Sequence, residues 1–146
     1  MFSTIEDMRK RKNELEAIHG LEVTSRWLKE AASFNASIHD FTPANHMACA
    51  IDDVEDILNA DVVVLFTIDG DTPTKRGGRH FESGFAYGRG RKLIVCGPRE
   101  NIFHYLPDVT VCPTFEEVKQ ELLKIRYEQS RRRSPRSQQA MIQGRR

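Results

Sequence analysis

Five consecutive apolar residues, Val62-Val63-Val64-Leu65-Phe66, run without a polar side chain at any second position. A strand with one wet face alternates, whereas an unbroken β-branched and aromatic run suits burial on both faces. Such a strand needs helices above and below it, which restricts the chain to a layered α/β architecture. Leu93-Ile94-Val95-Cys96, closed by Gly97-Pro98, has the same character, and Val109 to Cys112 is a shorter third case.

Helical patterns separate these runs. Ser3-Thr4-Ile5-Glu6 fits a capping box, and Ile5, Met8, Leu15 and Ile18 predict a helix to about His19, stopped by Gly20. Residues 21–27 alternate and predict a strand with one polar face. Residues 28–45 are polar, contain Pro43 and read as a loop or short helical turns. A helix is expected over residues 44–59, with Met47, Ala50, Ile51, Val54, Ile57 and Leu58 on one face. Asp52, Asp53, Glu55 and Asp56 lie on the other, read as solvated. Asp61 shapes the turn into the following strand, and residues 68–75 form a loop rich in Asp, Gly and Pro. Thr114 caps a last helix, with Glu117 at the third position and Val118, Leu122, Leu123 and Ile125 following.

The densest signal lies in residues 76–98. Arg76-Gly77-Gly78-Arg79 reads as a glycine-rich loop that brings bare backbone close to a ligand. A short helix is expected from His80, with Phe81, Phe85 and Ala86 on one face and Glu82 in the first turn. Gly88 and Gly90 end it, and the strand from Leu93 follows. The overall order is helix, strand, helix, strand, helix, strand, strand, helix. It predicts a doubly wound parallel sheet of the Rossmann-like, flavodoxin-like kind. Ligands of such sheets sit beyond the carboxyl ends of the strands, here after Phe66, after Val95 and at the start of the Glu82 helix.

Composition narrows the function classes. The chain has 146 residues, 39% hydrophobic and 29% charged, which suits one soluble domain with a sizeable core. Seven arginines and one acid between Arg126 and Arg146 give that tail +6, so the net charge of +1 leaves the rest at −5. An α/β domain is expected over residues 1–127 and a disordered arginine-rich tail over 128–146. The mildly acidic body shows no nucleic-acid footprint, which leaves weak contacts of the tail as the sole route to nucleic acid. Cys49, Cys96 and Cys112 form no CxxC, and His39, His46 and His104 have no ligand spacing, so no metal or cofactor is expected. The histidines read as polar surface or loop residues. Cys96 and Cys112 read as core, and the cysteine usage fits a reducing cytoplasm. No run approaches the ~20 apolar residues of a membrane span, and the first residues have no signal-peptide pattern.

In order and spacing, these motifs resemble the nucleoside 2-deoxyribosyltransferase family and its nucleotide N-glycosidase relatives. The resemblance rests on Asp53 ahead of Ala60-Asp61-Val62-Val63-Val64, on Glu82-Ser83-Gly84-Phe85-Ala86 with Gly90, and on a strand ending in Gly97-Pro98. Arg76-Gly77-Gly78-Arg79-His80 and Pro98-Arg99-Glu100-Asn101-Ile102-Phe103-His104 are similar to small bacterial and phage-type members, and the match spans about residues 5–125. The resemblance implies that Glu82 is the nucleophile attacking the anomeric carbon of a deoxyribosyl unit. It implies that Asp53 orients substrate or nucleophile, and that Gly77, Gly78, Arg76, Arg79 and His80 flank the base or phosphate. It also implies a homo-oligomer with sites completed across subunits, to which Asn101 contributes, and a nucleoside or nucleotide as partner.

Two departures from the family pattern stand out. Many members carry an acid six positions before the nucleophile, where this chain has Arg76; Arg76, Arg79 and His80 point instead to a phosphorylated substrate. Members also open with a strand and a small-residue turn before the first helix, whereas Met1-Phe2-Ser3 falls at the end of that turn. The first strand is therefore expected to be missing, with unpaired backbone on its neighbours. Plainer roles stay open for each candidate: Glu82 as a helix-start acid, Asp53 as one more surface acid, the arginines as surface charge. A non-catalytic nucleotide-binding module is the first alternative. A ribonucleotide phosphoribohydrolase, faintly suggested by Gly77, Gly78 and Glu82, is the second.

Overall fold

A computed structural model describes residues 5–30, 42–67 and 77–133. Among these residues five helices and three strands appear in the order α1 (Ile5–Glu16), α2 (Trp27–Glu30), α3 (Pro43–Asn59), β1 (Val62–Phe66), α4 (Gly77–Gly88), β2 (Lys92–Cys96), β3 (Val109–Cys112) and α5 (Phe115–Arg133). A 3₁₀ turn, Ile102–Tyr105, precedes β3. The protein is a mixed α/β structure around a three-stranded parallel sheet of order β1-β2-β3. Val62 pairs with Lys92 and Phe66 with Cys96, while Leu93 pairs with Val109 and Cys96 with Cys112.

Side chains of the parallel strands alternate between two apolar layers, as the period of two requires. Val62, Val64, Phe66, Ile94, Cys96 and Cys112 face Val118, Leu122 and Ile125 of α5, joined by Leu15 of α1. Val63, Leu65, Leu93, Val95 and Val109 face the other way, against Tyr87 of α4 and Leu106. Both faces are thus covered, as the unbroken apolar runs demand. Cys96 and Cys112 are buried free thiols, and burial pushes both above the ordinary thiol range.

Local chemistry sets the helix ends. Thr42 caps α3 by accepting the Asn45 N–H at 3.3 Å, and Pro43 occupies the first helical position, where its missing N–H costs nothing. α4 closes in a Schellman motif: Arg91 N–H donates to the Ala86 carbonyl, Gly90 N–H donates to Tyr87, and Gly90 takes φ +69°. Thr114 accepts the Glu117 N–H at 3.3 Å and starts α5.

Several expectations need correction. Residues 21–25 are not a strand. Their alternation is real, but among the described residues no neighbouring strand supplies a ladder, and Thr24 and Arg26 hydrogen-bond to Asp56 of α3 instead. α4 begins at Gly77, not His80, so Gly77, Gly78 and Arg79 form its first turn rather than a loop. Its buried residues are Ser83 and Ala86, while Phe81 and Phe85 stack on each other with centroids 6.0 Å apart, Phe81 being exposed. α5 runs on to Arg133, through residues expected to be disordered from 128. Its glutamates, glutamine, lysine and arginines favour helix even where no apolar face remains. Ser3, the loop over 68–75, His39 and residues 134–146 lie outside the described residues. Among the described residues no helix is long and apolar enough to cross a membrane.

Two glycines separate conformational need from helix propensity. Gly97 has φ +116°, and a Cβ there would lie 2.6 Å from Thr67 Oγ1 and 2.9 Å from the Thr67 carbonyl oxygen. Gly84 sits mid-helix with open space around it. Chemical denaturation should therefore show Gly97→Ala losing about 1–3 kcal/mol from strain and crowding, while Gly84→Ala gains about 0.5–1 kcal/mol as a helix-interior glycine is removed.

Candidate functional site

The carboxyl end of β1 is tied to the start of α4 by one strong contact. Arg79 Nη1 donates to the Phe66 carbonyl oxygen at 2.7 Å. One helical turn further on, Glu82 is half-buried, and α3 packs alongside α4 with Asp53 also half-buried. Asp53, Arg79 and Glu82 line one cavity of about 990 Å³. The remaining walls of that cavity are mostly apolar and extend along the whole of β1.

The electrostatics of the two carboxyls follow from this placement. Burial raises Glu82 above the ordinary glutamate range, the negative charge of Asp53 raises it further, and Arg79 opposes both. Burial also raises Asp53, helped by Asp56 and Asp52 and opposed by Arg26. The sequence placed Glu82 in the first helical turn, where the helix dipole would favour the anion. It stands in the second turn, because α4 starts at Gly77, and the dipole effect falls off within one turn. Desolvation and the neighbouring acid therefore decide its titration.

The other expected site residues divide. Gly77 and Gly78 open α4, where the first backbone N–H groups have no partner within the helix itself. No side chain crowds them: nothing lies within 4 Å of a Cβ at Gly77, and Glu82 Oε1 is 4.0 Å from one at Gly78. His80 is exposed and sits with Asn101, their Nδ1 and Nδ2 atoms 3.3 Å apart. Asn101 Oδ1 accepts the Phe103 N–H at 2.9 Å and so caps the 3₁₀ turn. Neither His80 nor Asn101 lines the cavity that holds Glu82. Arg76 lies outside the described residues.

Two features escaped the sequence. His104 is not a surface residue but only 2% exposed; its Nδ1 accepts the Glu100 N–H at 3.2 Å, and burial lowers its pKa so that the ring stays neutral. Arg26 is a clamp on α3. Its backbone N–H and Nε each donate to Asp56 at 2.7 Å, and its guanidinium also meets Asp52 at 2.9 Å and Glu55 at 3.0 Å. Asp56 is buried rather than solvated. The signal was the clustering of Asp52, Asp53, Glu55 and Asp56 within five positions, a density of like charge that calls for a cation. Among the described residues no group of three His, Cys, Asp or Glu side chains is arranged to hold a metal ion. No family model, curated protein or solved structure matches the chain.

The raised titration of Glu82 makes a stability prediction. The folded state disfavours the ionised carboxylate, so ionisation lowers stability as pH rises from the ordinary glutamate range, about 4.3, through the higher folded value. Glu82→Gln should raise the melting temperature at pH 7, and that gain should vanish below about pH 4. Thermal melts of the two proteins across pH check it; an equal difference at all pH values would contradict a desolvated Glu82.

Proposed function

We propose that this protein breaks or exchanges the N-glycosidic bond of a 2′-deoxynucleoside or its 5′-monophosphate, in the manner of the nucleoside 2-deoxyribosyltransferases it resembles. The observation that carries the reading is the meeting of two half-buried carboxyls, Glu82 and Asp53, in one cavity at the carboxyl end of β1. That is where a doubly wound, flavodoxin-like sheet binds its ligands. The parallel sheet with helices on both faces is compatible with that framework.

In this mechanism a Glu82 carboxylate oxygen forms a bond to C1′ as the C1′–N bond breaks. The bonding electron pair leaves with the base, which takes up a proton. Asp53, also held toward its protonated form, lines the same cavity and is the candidate to give that proton. Water or the nitrogen of a second base then displaces Glu82 from C1′. Water yields hydrolysis and a base yields transfer. The apolar walls keep the covalent ester from bulk water, which favours transfer over hydrolysis. The first-turn N–H groups of Gly77 and Gly78 at the start of α4 suit a phosphate. Arg79 is less available for one, because its Nη1 is already bonded to Phe66.

The second reading is a nucleotide-binding module without turnover. It is favoured by the raised titration of Glu82, since a protonated carboxyl is not a nucleophile. Chromatography of free base from deoxynucleosides, their monophosphates and the matching ribonucleotides separates the readings. The proposal expects base release from the deoxy substrates, with or without an acceptor base. It expects Glu82→Ala to lose at least about a thousandfold, the order of loss caused by removing a nucleophile. The rate should fall as pH drops through the raised Glu82 value, because the anion is the reactive form. Ligand-dependent thermal stabilisation without base release would favour the binding module, and release from ribonucleotides alone would favour a phosphoribohydrolase.

A further inference from the structure

Asn101 stands between two histidines. Its Nδ2 lies 3.3 Å from His80 Nδ1 on α4 and 3.4 Å from His104 Nε2 in the 3₁₀ turn. Its Oδ1 accepts the Phe103 N–H at 2.9 Å and caps that turn. The side chain thus joins the first turn of α4 to the segment that follows β2. The turn's Ile102, Phe103 and Tyr105 are exposed, and its buried side chain is His104.

These contacts do not all fit one arrangement of protons. His104 Nδ1 accepts the Glu100 N–H, so the one proton of the neutral ring is on Nε2. That N–H points at the Asn101 amide nitrogen, which is itself a donor. Neither group accepts, and the His104 ring is buried away from bulk water. Turning the amide by half a turn cures this fault and makes another. Oδ1 then accepts from His104 Nε2–H, but Nδ2 faces the Phe103 N–H, again a donor. Each orientation leaves one donor opposite a donor, so the amide of Asn101 is a two-state element. A neutral His80 serves both orientations, because Nδ1 accepts in one tautomer and donates in the other.

A charged His80 serves only one. With both ring nitrogens protonated, its Nδ1–H opposes Nδ2 and bonds only to Oδ1. We propose that Asn101 is a proton-driven switch: protonation of His80 turns its amide, so that Oδ1 leaves the Phe103 N–H and accepts the N–H groups of both histidines. Acid thereby removes the cap of the 3₁₀ turn and ties the turn to α4 through a charge-assisted bond. The proton is added at His80 because that ring is exposed, whereas burial holds His104 neutral. Glu100 favours a charge on His104, while His80 and Arg99 oppose it. These groups belong to α4 and to the segment after β2, the two elements that meet at Asn101. Arg79 and Glu82 of α4 line the cavity instead, which His80 does not. The inference does not depend on the glycosidic reading.

NMR on the whole chain tests the switch. The His80 ring is titrated between pH 8 and about pH 5, the span over which histidines change charge. The solvent-exchange rate of the Phe103 amide is measured alongside and divided by the intrinsic rate at each pH. The expected result is a loss of Phe103 protection of at least about threefold, with the midpoint of the His80 titration. In His80→Gln, which takes up no proton, Phe103 protection should stay constant over this range. Asn101→Asp presents an acceptor oxygen on each side, so it should keep the Phe103 cap throughout while His80 still titrates. Constant protection of Phe103 while His80 titrates overturns the proposal, and so does a loss that persists in His80→Gln or in Asn101→Asp. None of these readouts involves turnover, so failure here is distinct from failure of the glycosidic reaction.

Discussion

The β1–β2 ladder is the interaction on which the site depends. It holds the Phe66 carbonyl at the end of β1, and that oxygen accepts the Arg79 guanidinium at 2.7 Å. Arg79 in turn fixes the start of α4, so the next turn of the helix carries Glu82 to the cavity wall. The Schellman closure at Gly90 then returns the chain to β2, whose bonds support β1. Sheet, helix and return form a closed loop of constraints, and each link uses backbone groups that would otherwise be unpaired.

The acidic side of the site rests on a different device. α3 carries four carboxylates in five positions, a repulsive arrangement on a helix. Arg26 gathers three of them, meeting Asp52, Glu55 and Asp56 at once. Asp53 is left turned toward the cavity. The clamp thus engages the neighbours of Asp53 and leaves Asp53 near Glu82, where its charge raises the cost of ionising Glu82. Such crowding destabilises a fold and is characteristic of places where chemistry is done.

Much of this was legible in the residues. The unbroken runs at Val62–Phe66 and Leu93–Cys96 announced parallel strands covered on both faces, because burial alone removes polar residues from every position. Thr114 with Glu117, and the glycines after α4, marked helix ends through local hydrogen-bonding chemistry. What misled was tertiary. Residues 21–27 have a strand's alternation, but pairing needs a neighbour, and local pattern cannot supply one. Gly77 and Gly78 looked like loop residues because glycine is a poor helix former, yet at a helix start, free of crowding, the penalty is tolerated. His104 looked like surface because its ring is polar, whereas the Glu100 N–H satisfies its Nδ1 and lets it be buried. The clustering of Asp53 with Glu82 was expected from resemblance, while the clamp that arranges it joins residues too far apart in sequence for any local motif.

Among the described residues β1 is paired with a strand along one edge only, and that asymmetry can be measured directly. Amide hydrogen exchange along β1 in the unliganded protein should alternate: slow at Val63 and Leu65, whose N–H groups face β2, and fast at Val62, Val64 and Phe66, whose N–H groups face away from it. Uniform slow exchange across residues 62–66 would contradict the one-sided pairing of β1 seen among the described residues and, with it, the arrangement of the cavity on which the site depends.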